Sequence, residues 1–390
     1  MPSYISSNAN RFYVALESAY GQVASVTSAN RIPALKLAVQ QRLDNAERRD
    51  KTGSRTFTGT PPGTRKNTQW ELDTYLTSWD KSKPSPAYGP LFHASLGAPP
   101  ILFQGAAVGS ATTTGQLTFS SAHGLAAGQA VASEGEIRFV ATVLNSNTVQ
   151  LNAPFVTTPA SGASLGNTVT YAPATELPTV TVYDNWTPST AVQRILRGSA
   201  VNQMDILING DFHEVHFAGP AQDVLDSASF AAGQAGLTAF PAEPDLDSFD
   251  YSVVPGNLGQ AWIGVTPSRF CTITSASIRV SNELDTRTRE FGECAPRTFA
   301  PGRRVVTVAL ELFSKDDDAT AALYQAARQQ SPISVMFQLG ETDTQVMGVY
   351  LKSVVPEVPE FDDSRNRLQW KFRQSRAQGT LDDEIAVAFG

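Results

Sequence analysis

The stretch RRDKTGSRTFTGTPPGTRK, residues 48–66, is followed three residues later by the alternating segment WELDTYL, residues 70–76. Six of the nineteen residues of the first stretch are lysine or arginine, although the 390-residue chain has a formal net charge of -7. Glycine and proline make this stretch unsuitable for a helix or a central strand. We therefore expect a long basic loop that leads into a strand.

A second basic stretch of this kind, TRTREFGECAPRTFAPGRR, precedes VVTVALELF later in the chain. A shift of 239 positions places Arg48 on Arg287 and Gly53 on Gly292. The same shift gives four further matches, which are Pro62 on Pro301, Gly63 on Gly302, Arg65 on Arg304 and Thr68 on Thr307. Both occurrences have the order strand, basic loop, strand with acidic and aliphatic residues, and short helix. This shared order predicts an internal duplication of one domain.

Glycine (28 residues) and proline (24 residues) are frequent, and many short segments alternate between apolar and polar residues. This pattern predicts a mainly-β chain. The clearest predicted strands are TVTVY (179–183), MDILING (204–210), VVTVALELF (305–313), SVMFQLG (334–340) and LQWKFRQ (368–374). Helices are predicted at KDDDATAALYQAARQQ (315–330), which starts with three aspartates, and at SPAYGPLFHASLG (85–97), which ends in a glycine.

The region between the two copies differs in composition. Residues 105–172 contain few charges, much Gly, Ala, Ser and Thr, and regularly spaced turn signals, which indicate a small all-β module. Insertion of such a module is tolerated at an exposed loop tip. The predicted organisation is a first domain at 1–104 and 173–225, the module at 105–172, a linker at 226–262 and a second domain at 263–390.

Motifs for catalysis or cofactor binding are scarce. The chain has no GxxxxGK[ST], GxGxxG or GxSxG sequence. His213 and His216 of FHEVH would point to opposite faces of a strand, so they would not share a metal ion. Cys271 and Cys294 form neither a disulfide framework nor a zinc pattern, and we expect reduced thiols. We therefore expect no enzymatic activity, no cofactor and no metal.

Targeting signals are also missing from the sequence pattern. No window approaches the roughly 20 apolar residues that a bilayer span needs. The N-terminal residues lack the basic start and apolar run of a signal peptide. We therefore expect a protein without a membrane span that is made in the cytoplasm.

The two basic loops allow three interpretations, namely solvated loops, nucleic-acid binding, or docking against acidic surface on another copy of the chain. Nucleic-acid binding would need more aromatic residues than Phe57, Phe291 and Phe299 provide, in a less acidic chain. Opposite charges on two copies would orient their docking. The third interpretation explains why an acidic protein carries two basic arms.

The order of strand, arginine-rich loop (ERRDKTGSRTFTGTPPGTRK), strand WELDTYL and helix AYGPLFHASLG resembles that of the tail tube proteins of long-tailed bacteriophages. The second copy is similar to the same domain, with SASIRVSNELDTRTREFG, GRRVVTVALELF, an acidic helix start and the closing segment VMGVYLKSVVPEVPEFDDSRNRLQWKFRQ. The resemblance covers residues 1–104, 175–225 and 263–390. It depends on the order of elements and on the long loop.

The resemblance implies two β-sandwich domains of the tail-tube type, each with a flanking short helix. In this family six such domains form a ring, and rings stack into a hollow tube through which DNA passes. Two domains per chain imply trimeric rings with pseudo-sixfold symmetry. The implied partners are the chain itself and other tail proteins (tape measure, terminator and baseplate), and the implied location is the virion tail, assembled in the host cytoplasm.

Three alternatives remain open from the sequence. One is another tail component of similar fold, such as a terminator, a baseplate hub or a sheath-like part. A second is a nucleic-acid-binding module that uses the basic loops, and a third is an enzyme that acts on a polysaccharide. The inserted β module is expected to project outward from the tube.

The resemblance also implies which residues make contacts between subunits or between rings. These are the basic residues of the two loops: Arg48, Arg49, Lys51, Arg55, Arg65, Lys66, Arg287, Arg289, Arg297, Arg303 and Arg304. Four loop glycines, Gly53, Gly63, Gly292 and Gly302, are expected to adopt turn conformations with positive φ.

Overall fold

The computed structural model describes residues 4–45, 50–56, 59, 64–246, 249–288, 290–364 and 366–390. Strands contain 44% of the residues and helices 7%, which confirms the predicted mainly-β class. We call residues 10–226 without 101–171 the first half, residues 101–171 the inserted module, and residues 259–390 the second half.

The elements follow one another in the order predicted from the two copies. The first half begins with β1 (Asn10–Leu16), β2 (Arg31–Ile32), β3 (Ala34–Asp44), β4 (Arg65–Tyr75) and α1 (Gly89–Leu96). The inserted module has β5 (Ile101–Phe103), β6 (Gln116–Thr118), β7 (Ala130–Ser133), β8 (Glu136–Asn145), β9 (Thr148–Leu151) and β10 (Thr168–Tyr171). The first half resumes with β11 (Val180–Trp186), β12 (Arg194–Ser199), β13 (Gln203–Ile208), β14 (Glu214–Ala221) and β15 (Asp223–Asp226).

The second half repeats this series without an insertion. Its elements are β16 (Gly259–Gly264), β17 (Ser268–Arg269), β18 (Ile273–Ser281), β19 (Asp285–Thr286), β20 (Phe299–Ala300), β21 (Val305–Phe313), α2 (Asp318–Gln329), β22 (Ile333–Leu339), β23 (Met347–Val355), β24 (Glu360–Asp362), β25 (Gln369–Ala377) and β26 (Ala386–Phe389). Both predicted helices are confirmed. Asp317 caps α2, because its carboxylate accepts a hydrogen bond of 2.8 Å from the Thr320 N–H.

The two halves pair their strands in the same order. One sheet has the order β2-β1-β11-β12-β15 in the first half and β17-β16-β22-β23-β26 in the second, and we call it the covering sheet. The other, which we call the joining sheet, has the order β3-β4-β14-β13 and β18-β21-β25-β24. Even a register shift recurs, between Val180 and Val182 in the first half and between Ile333 and Val335 in the second. This agreement supports the predicted duplication.

The strand registers correct the predicted alignment by one residue after the basic loop. Arg42 pairs with Asn67 across a segment of 24 residues, and its counterpart Ser281 pairs with Val305 across 23 residues. Beyond the loop, Lys66 is therefore the counterpart of Arg304, and the predicted matches of Arg65 with Arg304 and of Thr68 with Thr307 are wrong. A slip of one residue would turn the buried side of β21 toward solvent.

The joining sheet continues without a break from the first half into the second. β13 pairs antiparallel with β18, and Ile206 lies opposite Ile278. One hydrophobic core runs beneath this sheet through both halves. In that core the ring of Phe92, on α1, packs against two other rings. Its centroid lies 5.4 Å from that of Phe217 in the first half and 5.2 Å from that of Phe389 in the second. The two predicted domains therefore share a core.

The inserted module packs against the second half, and its projection outward from a tube stays a prediction. Its strands β10 and β5 extend the second covering sheet beyond β26. The ring of Phe139 stacks on Tyr350 at 5.4 Å. Arg138 is fully buried, and its Nη1 donates to Gln338 Oε1 at 2.8 Å. The module begins with β5, four residues before the predicted boundary.

The connection between the halves is shorter than the predicted linker at 226–262. β15 ends at Asp226 and β16 already begins at Gly259. Within the connection, Glu243 accepts hydrogen bonds from Arg11 Nη2 at 2.6 Å and from Tyr13 Oη at 2.9 Å. The hydrogen bond to Glu243 raises the pKa of Arg11. The connection is thus fastened to the first covering sheet.

Candidate subunit interface

The structure distributes the predicted contact residues over several environments. Arg48, Arg49, Gly63 and Arg289 lie outside the described residues. Lys51, Arg55 and Arg65 are exposed in the first basic loop and at the start of β4.

Lys66 and Arg304 are held within the chain. Lys66 Nζ pairs with Asp223 at 2.8 Å, and Arg304 Nη1 pairs with Asp382 at 3.0 Å and with Glu384 at 2.9 Å. Lys66 thus connects the start of β4 to the first residue of β15, and Arg304 connects the start of β21 to the segment before β26. Both cations thus form ion pairs inside one half, and their role in contacts between subunits stays a prediction.

The second basic loop carries its own counterions. Arg297 pairs with Glu293, and Arg287 Nη1 lies 3.8 Å from Glu290 Oε1. Arg303 is exposed and lines a cavity beside the segment that precedes β24. Exposed pairs of this kind contribute about 0–1 kcal/mol.

The glycines of the basic loops serve two purposes. Gly53 and Gly292 have φ values of 74° and 86°, as predicted. Gly302 does not have a positive φ, so that prediction is wrong. A Cβ on Gly302 would lie 2.4 Å from the carbonyl oxygen of Glu283, and the glycine therefore permits a close approach of two backbone segments.

The second basic loop docks onto the first half through Asn282, which the sequence argument missed. Asn282 is 3% exposed, and its Nδ2 donates to the carbonyl oxygens of Ser95 and Val201 at 2.9 Å each. Its backbone N–H donates to the Asn202 carbonyl at 2.8 Å. Asn282 therefore plugs a cleft between the end of α1 and the segment before β13.

Two further contacts hold this loop in the cleft. The backbone N–H of Lys66 donates to the Cys294 carbonyl at 2.7 Å. Gln222 Nε2 donates to the Pro296 carbonyl at 3.0 Å. The second basic loop thus connects the two copies within one chain, and its contacts between subunits stay a prediction.

One end of the joining sheet is the edge of β3, which has no partner strand on that side among the described residues. Leu37 and Val39 of β3 are half-buried. Their counterparts in β18, Ala276 and Ile278, are 7% and 0% exposed because β13 lies beside them. Leu43, the counterpart of Asn282, is 53% exposed. The β3 edge therefore presents apolar side chains that a neighbouring strand would cover.

The other end of the joining sheet is the edge of β24, which pairs only with β25 in the described part of the chain. Phe361 stacks on Trp370 at 5.4 Å but remains 53% exposed. Its counterpart in the first half, Ile206, is fully buried under β18. The Lys371 ammonium, 2.6 Å away, holds the pKa of the Asp362 carboxyl well below its usual range.

A cavity of about 1050 Å³ adjoins the β24 edge. Its walls include Arg304, Gln330, Pro356, Glu357 and Gln378. Four of these residues are the counterparts of first-half residues that contact the second basic loop. The fifth, Gln330, lies directly after α2, and in the first half the cleft that the loop fills lies at the end of α1. The matches are Arg304 with Lys66, Pro356 with Val201, Glu357 with Asn202, and Gln378 with Gln222.

The solvent-exposed face of the joining sheet is not an uncompensated basic surface. Arg279 Nε pairs with Asp205 at 2.7 Å across the β13·β18 joint. Arg373 lies 3.1 Å from Glu360 and 3.6 Å from Glu311. Paired cations of this kind give phosphates little to bind.

Other chemistry is scarce in the described residues. No cluster of three or more His, Cys, Asp and Glu side chains there is arranged to hold a metal ion. Cys271 and Cys294 are free and exposed. No described helix is long and apolar enough to cross a membrane. No protein-family profile matches this chain, and no curated protein matches it.

Proposed function

We propose that this chain is a structural subunit of a bacteriophage tail tube, with three chains and six domain copies in each ring. The observation that carries the proposal is the β13·β18 joint, in which the end strand of one copy pairs with the first strand of the next. The two remaining edges of the joining sheet, β3 and β24, are the counterparts of β18 and β13. A repeat of the same joint between chains would continue the sheet.

Closure of the ring has a physical reason. An open sheet edge presents unpaired N–H and C=O groups and promotes uncontrolled association. A head-to-tail contact with a fixed rotation removes every open edge once the ring closes. Three chains joined through β24 and β3 would alternate internal and external joints around one continuous barrel.

The charge pattern favours a conduit for DNA over a DNA-binding surface. The chain is acidic overall, and Arg279 and Arg373 on the joining sheet are paired with carboxylates. A lumen with free cations would retain phosphates and slow their passage. We place the protein in the virion tail, with itself, the tape measure, the terminator and the baseplate as partners.

Electron microscopy of the purified chain at low and high concentration tests the proposal. We expect rings or hollow tubes with sixfold end views and a ring mass of three chains. Phe361→Lys, at the β24 edge, should abolish them, whereas Leu144→Lys, an exposed residue of the inserted module, should not. Rings of six chains would contradict the trimer. Monomers that bind DNA in a strongly salt-dependent way would favour the nucleic-acid-binding alternative.

A further inference from the structure

We infer that β24 and the adjoining cavity receive the β3 strand of a second copy of this chain, in the register of the internal β13·β18 joint. The inference rests on the proposed function, because it takes the partner to be a neighbouring subunit of the same kind. It adds which residues meet and what occupies the cavity.

The internal joint supplies the register. In that joint Ile206 lies opposite Ile278 and Asp205 lies opposite Arg279. The counterparts place Phe361 opposite Val39 of the second copy and Glu360 opposite its Gln40. The same register places Glu357 opposite Leu43, in the position where the Asn202 carbonyl accepts from Asn282.

The side chains on both edges suit this register. Phe361 and Val39 are apolar and incompletely covered in the single chain. On the other face of the strands, Glu360 would have Arg42 as a diagonal neighbour, and Asp362 would have Lys36. Opposite charges at such positions contribute roughly 0.2–1 kcal/mol each. The edges therefore match in both hydrophobicity and charge.

The cavity bears on the position of Asn282, where the counterpart Leu43 is apolar. Asn282 Nδ2 donates to the Ser95 carbonyl at the end of α1, whereas its counterpart Leu43 has no donor in its side chain. In the second half Gln330 Nε2 already donates to the Ala327 carbonyl at 2.9 Å, at the end of α2. An apolar residue therefore suffices there. The cavity volume leaves room for the Leu43 side chain of the neighbouring chain.

Disulfide trapping tests the register. In a background of Cys271→Ser and Cys294→Ser, both at exposed positions, the pair Glu360→Cys and Gln40→Cys would lie directly opposite across the proposed joint. Opposite residues of antiparallel strands have Cα atoms about 4.5–5.5 Å apart, within reach of a disulfide. The matched control, Glu360→Cys with Lys36→Cys, displaces the partner by four residues, or about 13 Å. Asp205→Cys with Arg279→Cys tests the same geometry inside one chain.

Non-reducing denaturing electrophoresis after mild oxidation gives the readout. We expect covalent dimers and trimers for the Glu360 and Gln40 pair, with at least a tenfold lower yield for the displaced control. Equal yields for the two pairs would overturn the inference. It would also be overturned if the Glu360 and Gln40 pair gave only monomers while the internal control pair, Asp205 and Arg279, formed its disulfide. Covalent trimers that never stack would support the joint and contradict the tube. Tubes that form without a cross-link would support the proposed tube and contradict the proposed register of β24 and β3.

Discussion

The cleft at the end of the helix is filled in the first half and open in the second. In the first half Asn282 and the loop after β18 occupy it, and Asn202 and Gln222 are half-buried beneath them. In the second half the counterparts Glu357 and Gln378 are exposed. The two halves have the same fold, so the difference arises from the presence or absence of a following copy.

The comparison shows what a duplicated chain reveals about its own assembly. A subunit with one copy would display only two open edges and an open cleft. Here the chain contains one completed joint, and its register is our template for the proposed contact between chains. Few apolar residues remain uncovered on β3 and β24, which would limit unspecific association of single chains before the proposed assembly.

The strongest test of this comparison uses the same position in both halves. Ile206→Ala should lower the free energy of unfolding by about 2–5 kcal/mol, because Ile206 is fully buried in the internal joint. Phe361→Ala should change unfolding of the single chain far less, because its ring is 53% exposed, and should instead weaken assembly. Denaturant unfolding at low concentration and sedimentation at high concentration separate the two effects. Equal losses of stability would contradict the comparison.

A second prediction concerns a buried carboxylate that lacks a counterpart in the second half. Glu17 is 9% exposed and accepts hydrogen bonds of 2.8 Å from the N–H groups of both Gly21 and Gly198. The hydroxyls of Thr179 and Thr181 also donate to it. Glu17→Ala would leave these donors unpaired and should cost about 3 kcal/mol of stability.

Glu17→Gln is the matched variant for this test. The amide keeps one acceptor oxygen, so the loss should be smaller than for alanine. Thermal and denaturant unfolding of both variants give the measurement. A loss below about 0.5 kcal/mol for Glu17→Ala would indicate that water replaces the carboxylate.

The sequence predicted the elements well, because alternation and capping are local properties. The strands of VVTVALELF and LQWKFRQ, and the helix that begins after three aspartates, lie where they were expected. Asn282 was not predicted, because its partner Ser95 is 187 residues away in the chain. The packing of the inserted module on the second half likewise depends on contacts that no local pattern encodes.

The basic loops also show that a local sequence pattern does not reveal contacts with residues distant in the chain. Their charge correctly drew attention to the segments between paired strands. The ion pairs of Lys66 and Arg304 were not predicted, because the carboxylates that neutralise them are distant in sequence. One residue of loop length also shifted the alignment, and only the pairing of β3 with β4 and of β18 with β21 revealed it.

A third prediction concerns Leu43, the residue that we place in the cavity of a neighbour. Leu43→Ala should change unfolding of the single chain by less than about 0.5 kcal/mol, because exposed positions seldom matter more than that. It should still weaken assembly by about tenfold in dissociation constant, measured by sedimentation. Leu144→Ala, at a similarly exposed position in the inserted module, is the control and should leave assembly unchanged.

The smallest effect we predict is a dependence of stability on pH that originates in the first half. Burial lowers the pKa of His213, which is 1% exposed and whose Nε2 lies 3.0 Å from the Leu258 carbonyl. The unfolded chain therefore takes up a proton more readily than the folded chain, so this contribution is fully present above about pH 6.5 and is lost as the pH falls. The counterpart in the second half is Leu368, which does not titrate.

His213→Leu should thus be less stable at pH 7 by about 1 kcal/mol, through the lost hydrogen bond, yet lose less stability between pH 7 and 5. Unfolding midpoints measured across that range for both proteins test this, and parallel pH profiles would assign the acid sensitivity to His93 or to the carboxylates instead.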